Sequence, residues 1–278
     1  MKTKKLLYVF GIVLLMSSCA TTSFYQVYNV KPTNESITNV EELFFEDDNC
    51  KISYNLWGNG GNIGFNFYNK TDKNVYVRLN ESNFILNGFA YDYFKNRTFT
   101  TSESKSASAS NTSTGSVAVT GINVYNNIQT NQVKSSSSAN ISSSVGFAVS
   151  IKEDSIICIP PKTTKRISEY SINNALIRNC DLFKYPRTKE IKTKAYSAEK
   201  SPIVFSNRIT YEINGSLKLV ENEFFVSEIT NYPESEFLES KYDEYCGQKS
   251  YNQTEYYKFY DIDKFYIKYS KGQDTWKH

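Results

Sequence analysis

The chain has 278 residues, of which 40% are hydrophobic and 15% aromatic, and its 32 basic and 29 acidic side chains give a net charge of +3. A balance this close to neutral argues against the basic surface of nucleic-acid-binding proteins. The single histidine, His278, is the last residue. Serine or cysteine nucleophiles therefore lack a histidine base, and common zinc sites lack imidazole ligands. The sequence predicts no catalytic residue, metal or cofactor.

Residues 1–18 have the three zones of a secretory signal peptide. A positive start with three lysines gives way to an apolar run over residues 6–16, and two small serines precede Cys19. The apolar run covers eleven residues, about half of the ~20 that a membrane-spanning helix needs. We therefore predict that residues 1–18 are removed on export rather than kept as a membrane span.

The run Met16-Ser17-Ser18-Cys19 resembles the lipobox of bacterial lipoproteins, with Met at the position where Leu is usual. The resemblance implies that the thiol of Cys19 is acylated and that Cys19 becomes the mature N-terminus. Residues 19–28 are similar to the start of uncharacterised lipoproteins of Bacteroidota-type bacteria, a resemblance that brings no known activity with it.

This resemblance implies a location: a lipid anchor in the outer membrane. Surface-exported lipoproteins of such bacteria often carry an acidic stretch after the cysteine. Residues 20–23 carry no charge, so a periplasm-facing position is expected rather than a surface-exposed one.

The mature chain, residues 19–278, would carry no net charge, because three of the 32 basic residues lie in the signal. Nothing in this overall balance steers it towards nucleic acid or anionic lipid. The expected partners are the membrane, reached through the N-terminal lipid, and envelope proteins or glycans.

Four cysteines remain once Cys19 is acylated: Cys50, Cys158, Cys180 and Cys246. An even number in an oxidising compartment predicts disulfides, with three connectivities open. No pair has the Cys-x-x-Cys spacing of a metal site. Cys50 and Cys158 lie in strand-like runs, whereas Cys180 and Cys246 lie in irregular polar ones, which favours pairing within each group.

Short alternating segments predict an all-β fold, an antiparallel Ig-like β-sandwich over residues 41–232. Ile52, Tyr54 and Leu56 share one face of the first segment, and residues 58–61 form the turn that follows it. Residues 19–40 are polar with scattered aromatics and are interpreted as a lipidated tether. Further strands are predicted at 62–68, 75–79, 84–86, 89–94, 155–159, 165–172, 203–213 and 224–229.

Residues 101–146 interrupt this pattern, since fourteen of the 46 are serine and three are charged. Such a stretch buries too little apolar area to offset its ordering entropy, which predicts a long flexible insertion. Residues 116–128 contain enough Val and Ile for a hairpin, and a partner-binding arm is the functional alternative. Just beyond, Asp154-Ser155-Ile156 resembles the O-glycosylation acceptor triplet of the same bacteria, which implies a modified Ser155.

Residues 233–278 are predicted to form a C-terminal helix and an aromatic strand region that pack on the sandwich. Pro233 suits the first turn of a short helix over 233–245, with Glu234 and Glu236 near its N-terminus. Tyr and Phe alternate between residues 256 and 269 as in strands. These rings either fill the core and cover its edges, or form a platform that stacks on sugar rings or on a partner protein.

The sequence therefore predicts a membrane-anchored, non-enzymatic envelope module with a structural or binding role. A surface adhesin or glycan-binding module is one alternative. The other is a carboxylate-dependent glycan hydrolase, which needs two carboxylates facing each other across ~5–9 Å. The candidate carboxylates are Glu41 with Glu42, Asp47 with Asp48, Asp243 with Glu244, and Asp261 with Asp263.

Replacing Cys19 with serine removes the thiol that acylation requires. We expect the variant to move from the membrane to the soluble fraction, because each buried methylene contributes ~0.8 kcal/mol and several acyl chains are lost together. Cell fractionation and the mass of the mature N-terminus measure this. Cys158→Ser is the matched control and should stay with the membrane. A Cys19→Ser protein that also stays there would contradict acylation.

Overall fold

The computed structural model describes residues 22–33, 37–39, 41–105, 117–122, 129–133 and 145–272. The expected signal peptide, residues 1–18, and the expected acylation site Cys19 lie outside the described residues. So do His278 and three segments of the serine-rich insertion, residues 106–116, 123–128 and 134–144.

Strands account for most of the described residues. In chain order they are β1 (Ser23–Pro32), β2 (Ile37–Asn39), β3 (Leu43–Glu46), β4 (Cys50–Tyr54), β5 (Phe65–Asn69), β6 (Val75–Arg78), β7 (Asn83–Leu86), β8 (Phe89–Asp92), β9 (Thr98–Lys105), β10 (Val117–Ile122), β11 (Gln129–Val133), β12 (Val145–Lys152), β13 (Ile156–Ile159), β14 (Thr164–Ile167), β15 (Thr193–Ala195), β16 (Val204–Ile213), β17 (Ser216–Pro233), β18 (Leu238–Tyr245), β19 (Gln248–Tyr257) and β20 (Lys264–Ser270). A short α-helix, α1 (Glu234–Phe237), lies between β17 and β18, and single turns of 3₁₀ helix cover Leu79–Glu81, Thr188–Glu190 and Ala198–Lys200.

Two sheets form the body of the molecule. The larger has nine strands: β13, β6, β16, β17, β1 and β20 lie side by side, and β7, β8 and β15 join through β16 and β17. The smaller has five strands in the order β14-β5-β4-β3-β2. The paired strands of both sheets run antiparallel.

The two sheets pack face to face because alternate residues on their facing strands are apolar. Ile52 and Tyr54 of β4 are buried in the shared core. The Tyr54 ring lies 5.2 Å from that of Phe224 on β17, and its hydroxyl accepts a 2.7 Å hydrogen bond from Nδ2 of Asn222. The predicted all-β antiparallel sandwich is confirmed.

Residues 23–32 are a central strand, not the predicted tether. Strand β1 pairs with β17 on one edge and with β20 on the other, and Ser23 to Tyr28 are all buried. A strand covered on both faces loses the simple alternation of a half-buried strand. The sequence of β1 therefore lacks a regular alternation of apolar and polar residues. The folded body begins at Ser23 rather than near residue 41.

The predicted helix over 233–245 is also wrong beyond its first turn. Helix α1 ends at Phe237, and the chain continues as β18, which forms a hairpin with β19. Cys246 and Gly247 both have positive φ, +52° and +79°, as a two-residue hairpin turn requires. Cross-strand pairing therefore overrides the local helix signals. The tail strand β20 belongs to the larger sheet itself.

The serine-rich insertion leaves the sandwich as a strand pair. Strands β9 and β12 pair along their length, from Thr98 with Lys152 to Lys105 with Val145. Strand β10 pairs with β11, so the predicted hairpin over 116–128 forms with a partner just beyond that range. Flexibility of this insertion stays a prediction.

Both predicted disulfide pairings are wrong, because the four cysteines are free. Ile157 and Ile159 of β13 are buried, so Cys158 between them faces solvent, while Cys50 points into the core. Cys180 lies in a loop and Cys246 at a hairpin tip, both exposed. Burial and the carboxylate of Asp47 raise the pKa of the Cys50 thiol well above its usual range, so this thiol is unreactive.

The glycine-rich turn after β4 covers an otherwise open edge of the larger sheet. The Gly60 N–H donates to the Tyr266 carbonyl at 2.7 Å, and the Tyr266 N–H donates to the Gly58 carbonyl at 3.1 Å. These bonds satisfy part of the outer edge of β20. Gly61, at φ +74°, packs against Ile172 with no room for a side chain.

Gly61→Ala should destabilise the fold by ~1–3 kcal/mol, because the added Cβ would lie 2.7 Å from Cδ1 of Ile172 and φ is positive. Gly58→Ala is the control, since a Cβ at that position meets nothing within 4 Å. The midpoints of urea unfolding measure the difference. Equal midpoints for the two variants would show that the turn tolerates a side chain at Gly61.

Candidate functional site

A cluster of aromatic rings lies on the outer face of the larger sheet, where β1 and β20 meet α1 and the base of the β18–β19 hairpin. Tyr25 of β1 stacks on Phe237 of α1, with ring centroids 4.1 Å apart. Trp57, which follows β4, lies 5.3 Å from Tyr257 and 5.2 Å from Tyr266. The rings come from separate parts of the chain, so the fold alone brings them together.

Strand periodicity directs these side chains outward. Tyr28 of β1 points into the sandwich core, so Tyr25 and Val27 lie on the opposite face. In the register with β20, Tyr25 is opposite Lys268 and Val27 is opposite Tyr266. Uncovered, this apolar face would meet water. Helix α1 covers it with Phe237, which is fully buried.

Beside the cluster lies a cavity of about 250 Å³, which we call the aromatic cleft. It combines aromatic rings with an ammonium, a carboxylate and an amide. Its lining consists of Tyr25, Asn59, Leu238, Glu255, Tyr257, Tyr266 and Lys268.

The protein environment shifts the pKa values of Tyr25, Tyr266 and Lys268 in the cleft. Burial raises the pKa of Tyr25 and, together with a hydrogen bond to Tyr257, that of Tyr266. Both hydroxyls therefore stay neutral, and Tyr266 donates to the Tyr257 hydroxyl at 3.0 Å. A hydrogen bond with Tyr25 raises the pKa of Lys268, which keeps its ammonium charged. Oδ1 of Asn59 accepts the Lys268 backbone N–H at 3.1 Å, and Asn59 itself is exposed at the cleft.

An exposed rim continues from the cluster. Tyr260 is 56% exposed, and its ring lies 5.4 Å from that of partly buried Trp57. Nδ2 of Asn55 donates to the Tyr260 hydroxyl at 3.2 Å. Ring faces beside amide and hydroxyl groups suit a ligand that is apolar on its faces and polar around its edge. Sugars have this character.

A second cavity, of about 230 Å³, lies on the other face of β1 and is less suited to a ligand. Gln26, a buried polar residue of its lining, already has partners for both of its amide atoms. Nε2 donates to the Ile177 carbonyl at 3.0 Å and to Oδ1 of Asn231 at 2.9 Å, while Oε1 accepts the Ile177 N–H at 2.8 Å. These hydrogen bonds hold the loop at Ile177 against β1 and β17.

The predicted carboxylate pairs do not line the aromatic cleft, and several have structural partners. Glu42 forms an ion pair with Lys51, and Asp261 forms one with Lys264 at 3.1 Å. Asp47 accepts the N–H groups of Asn49 and Cys50 at 2.7 Å each. Asp243 accepts hydrogen bonds from Thr254 and Tyr256 across its own hairpin.

An ion cluster around buried Glu153, which no local sequence pattern indicates, holds the base of the insertion. Glu153 follows β12, and its side chain is 1% exposed. Its carboxylate accepts the N–H of Lys95 and that of Arg97, each at 3.0 Å, and the Arg97 guanidinium at 2.6 Å. Arg97 also binds Glu169 at 2.7 Å. Because Lys95 to Arg97 precede β9, the cluster joins the two ends of the inserted strand pair.

Ser155, the predicted glycosylation site, lies between β12 and β13 and is partly exposed. Its carbonyl accepts the Leu79 N–H at 2.8 Å, which fixes the backbone there. Modification of its hydroxyl stays a prediction.

The chain matches no protein-family model, no curated protein and no solved structure. Across the described ranges, none of the helices has the length and apolarity that a membrane crossing requires. Within those ranges, His, Cys, Asp and Glu side chains do not gather in groups of three that could hold a metal ion.

Glu153→Gln should reduce stability at neutral pH by ~1–2 kcal/mol, because charge-assisted bonds become neutral ones. Burial alone would raise the pKa of Glu153, but the hydrogen bonds from Arg97 outweigh it and lower the pKa. The stabilisation is therefore present above the unfolded-state pKa of ~4.3 and is lost as pH falls through the lower folded value.

Thermal unfolding at several pH values checks this expectation. The wild type should lose stability more steeply than Glu153→Gln as the pH falls below ~4. Glu199→Gln, at an exposed position, is the control and should follow the wild type. Parallel curves for wild type and Glu153→Gln would contradict the role given to this carboxylate.

Proposed function

We propose that the chain is a bacterial envelope lipoprotein, anchored through acylated Cys19 in the outer membrane on its periplasmic side, that binds a carbohydrate in the aromatic cleft. Carbohydrate binding is supported by one observation: a single cavity is lined by Tyr257, Tyr266, Lys268 and Glu255. The anchoring part depends on the lipobox-like run that ends at Cys19.

The lining of the cleft supports a sugar over other small ligands. Ring faces pack against the C–H faces of a pyranose, and the ammonium of Lys268, the carboxylate of Glu255 and the amide of Asn59 suit its hydroxyls. The volume of about 250 Å³ lies below the ~300 Å³ lower bound of drug-sized pockets. A single sugar unit, or the end of a longer glycan, fits this size.

Binding is favoured over hydrolysis because the lining of the cleft contains one carboxylate, Glu255. A glycan hydrolase needs two, one of them a proton donor with a raised pKa. Among the described side chains, the carboxyl pKa values that shift, those of Asp47, Glu153 and Asp181, are all lowered. None of these three groups is a suitable proton donor at neutral pH.

A protein partner is the second candidate, and the exposed hairpin favours it. Tyr242, Tyr245 and Tyr251 are 53%, 83% and 98% exposed on β18 and β19. Tyrosine is enriched at protein interfaces because it combines a large ring with a polar tip. The hairpin would then act as a contact arm beside the cleft.

Trp57 provides a direct test of carbohydrate binding. The chain has two tryptophans, Trp57 and Trp276, so Trp276→Phe leaves Trp57 as the sole reporter next to the cleft. In this background, combined with Cys19→Ser for solubility, titration with a panel of envelope oligosaccharides should change the Trp57 fluorescence. Lys268→Gln or Glu255→Gln should weaken binding ~10–100-fold, as the loss of a hydrogen bond to a charged group predicts.

Tyr251→Phe, on the exposed hairpin, is the matched control and should leave the affinity unchanged. A flat fluorescence response across the panel, verified by calorimetry, would overturn carbohydrate binding. So would an affinity that neither cleft variant alters.

A further inference from the structure

The N-terminal end of β1 would lie close to the bilayer if Cys19 is acylated. Cys19, Ala20, Thr21 and Thr22 alone separate the anchor from buried Ser23. Four residues span at most ~14 Å when fully extended. The end of the larger sheet where β1 begins, which we call the Ser23 end, must therefore face the membrane at short range.

Residues 183–192 pack at this same end. Nδ2 of Asn231 donates to the Phe183 carbonyl at 2.8 Å, and the Tyr185 ring lies 5.1 Å from that of Phe24. Phe24 is the second residue of β1. The segment then enters β15, whose first residue, Thr193, is opposite Thr230 of β17.

Basic side chains are concentrated around this segment. Residues 178–194 contain six basic side chains and two acidic ones. Of the acidic pair, Asp181 forms a 2.5 Å ion pair with Lys194, and Glu190 accepts the Arg187 N–H at 2.9 Å. The basic residues are Arg178, Lys184, Arg187, Lys189, Lys192 and Lys194.

The nearby helix α1 contributes the opposing charge, through Glu234 and Glu236. Thr188 donates to the Glu236 carboxylate at 2.9 Å, and Glu234 lies close enough to Lys268 to raise its pKa. Both carboxylates therefore face local partners, while Arg187, Lys189 and Lys192 are exposed.

An exposed aromatic ring accompanies the exposed cations. Phe183 is 50% exposed, and Nζ of Lys192 lies 5.6 Å from its ring centroid. Exposed rings beside lysine and arginine are typical of surfaces that enter the headgroup region of a membrane. Anionic lipid attracts such cations within a Debye length of the surface.

We infer that residues 183–192 form a bilayer-contact surface, in which Lys189 and Lys192 bind anionic phospholipid headgroups and Phe183 inserts among them. The inference rests on the proposed acylation of Cys19. The acyl anchor holds the surface near the membrane, and the cations and the ring then orient the domain on it.

Two native cysteines can report this contact without an engineered labelling site. Cys180 lies beside Phe183 and Lys192 around one cavity, whereas Cys246 lies at the hairpin tip, and both are exposed. The lipidated protein is placed on phosphatidylcholine vesicles with or without phosphatidylglycerol. A membrane-impermeant maleimide labels the thiols, and mass spectrometry gives the rate at each cysteine.

On anionic vesicles, labelling of Cys180 relative to Cys246 should slow by roughly tenfold or more compared with neutral vesicles. Lys189→Glu combined with Lys192→Glu should restore fast labelling while the protein still floats with the vesicles. Lys218→Glu, exposed near the opposite end of β17, is the matched control and should keep Cys180 protected.

Different outcomes test the bilayer-contact surface and the lipid anchor on which it rests. A protein that floats with vesicles but whose Cys180 labels equally fast on both lipid compositions overturns the contact surface and leaves the anchor standing. A protein without fatty acid that does not float overturns the anchor. In that case the Cys19→Ser chain still tests the surface: at low salt and with anionic vesicles in excess it should sediment weakly with them, and this binding should be lost at physiological salt, where the charges are screened, and in the double lysine variant.

Discussion

The burial of strand β1 on both faces and its pairing on both edges is the constraint on which the rest of the structure depends. Its edges are satisfied by β17 and β20, so the beginning and the end of the described chain lie in one sheet. Its inner face contributes Tyr28 and Val30 to the sandwich core. Its outer face contributes Tyr25 and Val27, which need the cover that α1 provides.

Buried amide side chains complement this packing by tying the two sheets together. Nδ2 of Asn207 on β16 donates to the Ile63 carbonyl at 2.9 Å, and its Oδ1 accepts the Tyr93 hydroxyl at 2.5 Å. Nδ2 of Asn222 on β17 donates to the Tyr54 hydroxyl of β4 at 2.7 Å, while its buried Oδ1 has no hydrogen-bond partner. A buried amide without such partners would cost free energy, so these bonds specify the register in which the sheets face each other.

Both proposed functional surfaces follow from the position of β1. The aromatic cleft includes Tyr25, two residues from Ser23, and the segment 183–192 packs against Phe24 next to it. Tyr25 and Phe24 point to opposite faces of the strand, which separates the cleft from the basic segment. A chain with little overall net charge thus has six basic and two acidic residues between positions 178 and 194.

Much of the fold was predictable, because strands such as β4 and β5 bury alternate apolar residues and are separated by polar, glycine-containing turns. The predictions fail where the local sequence pattern favours one structure and strand pairing in the folded protein imposes another. Residues 156–159 are apolar at every position, so the sequence could not show that Cys158 faces outward. Pro233, Glu234 and Glu236 signal a helix correctly, but pairing with β19 stops it at Phe237.

The amino-acid sequence was enough to establish the all-β class, the positions of most sandwich strands, the serine-rich insertion and the expectation of a lipid anchor. Each of these follows from the amino-acid composition or from a short-range repeat of apolar residues along the sequence. The tertiary structure decided the place of β1, the free state of the four cysteines and the composition of the cleft. Tyr25 and Lys268 lie opposite each other although they are far apart in the chain, and no local pattern encodes such a pairing. It forms because β1 reaches full burial only between β17 and β20.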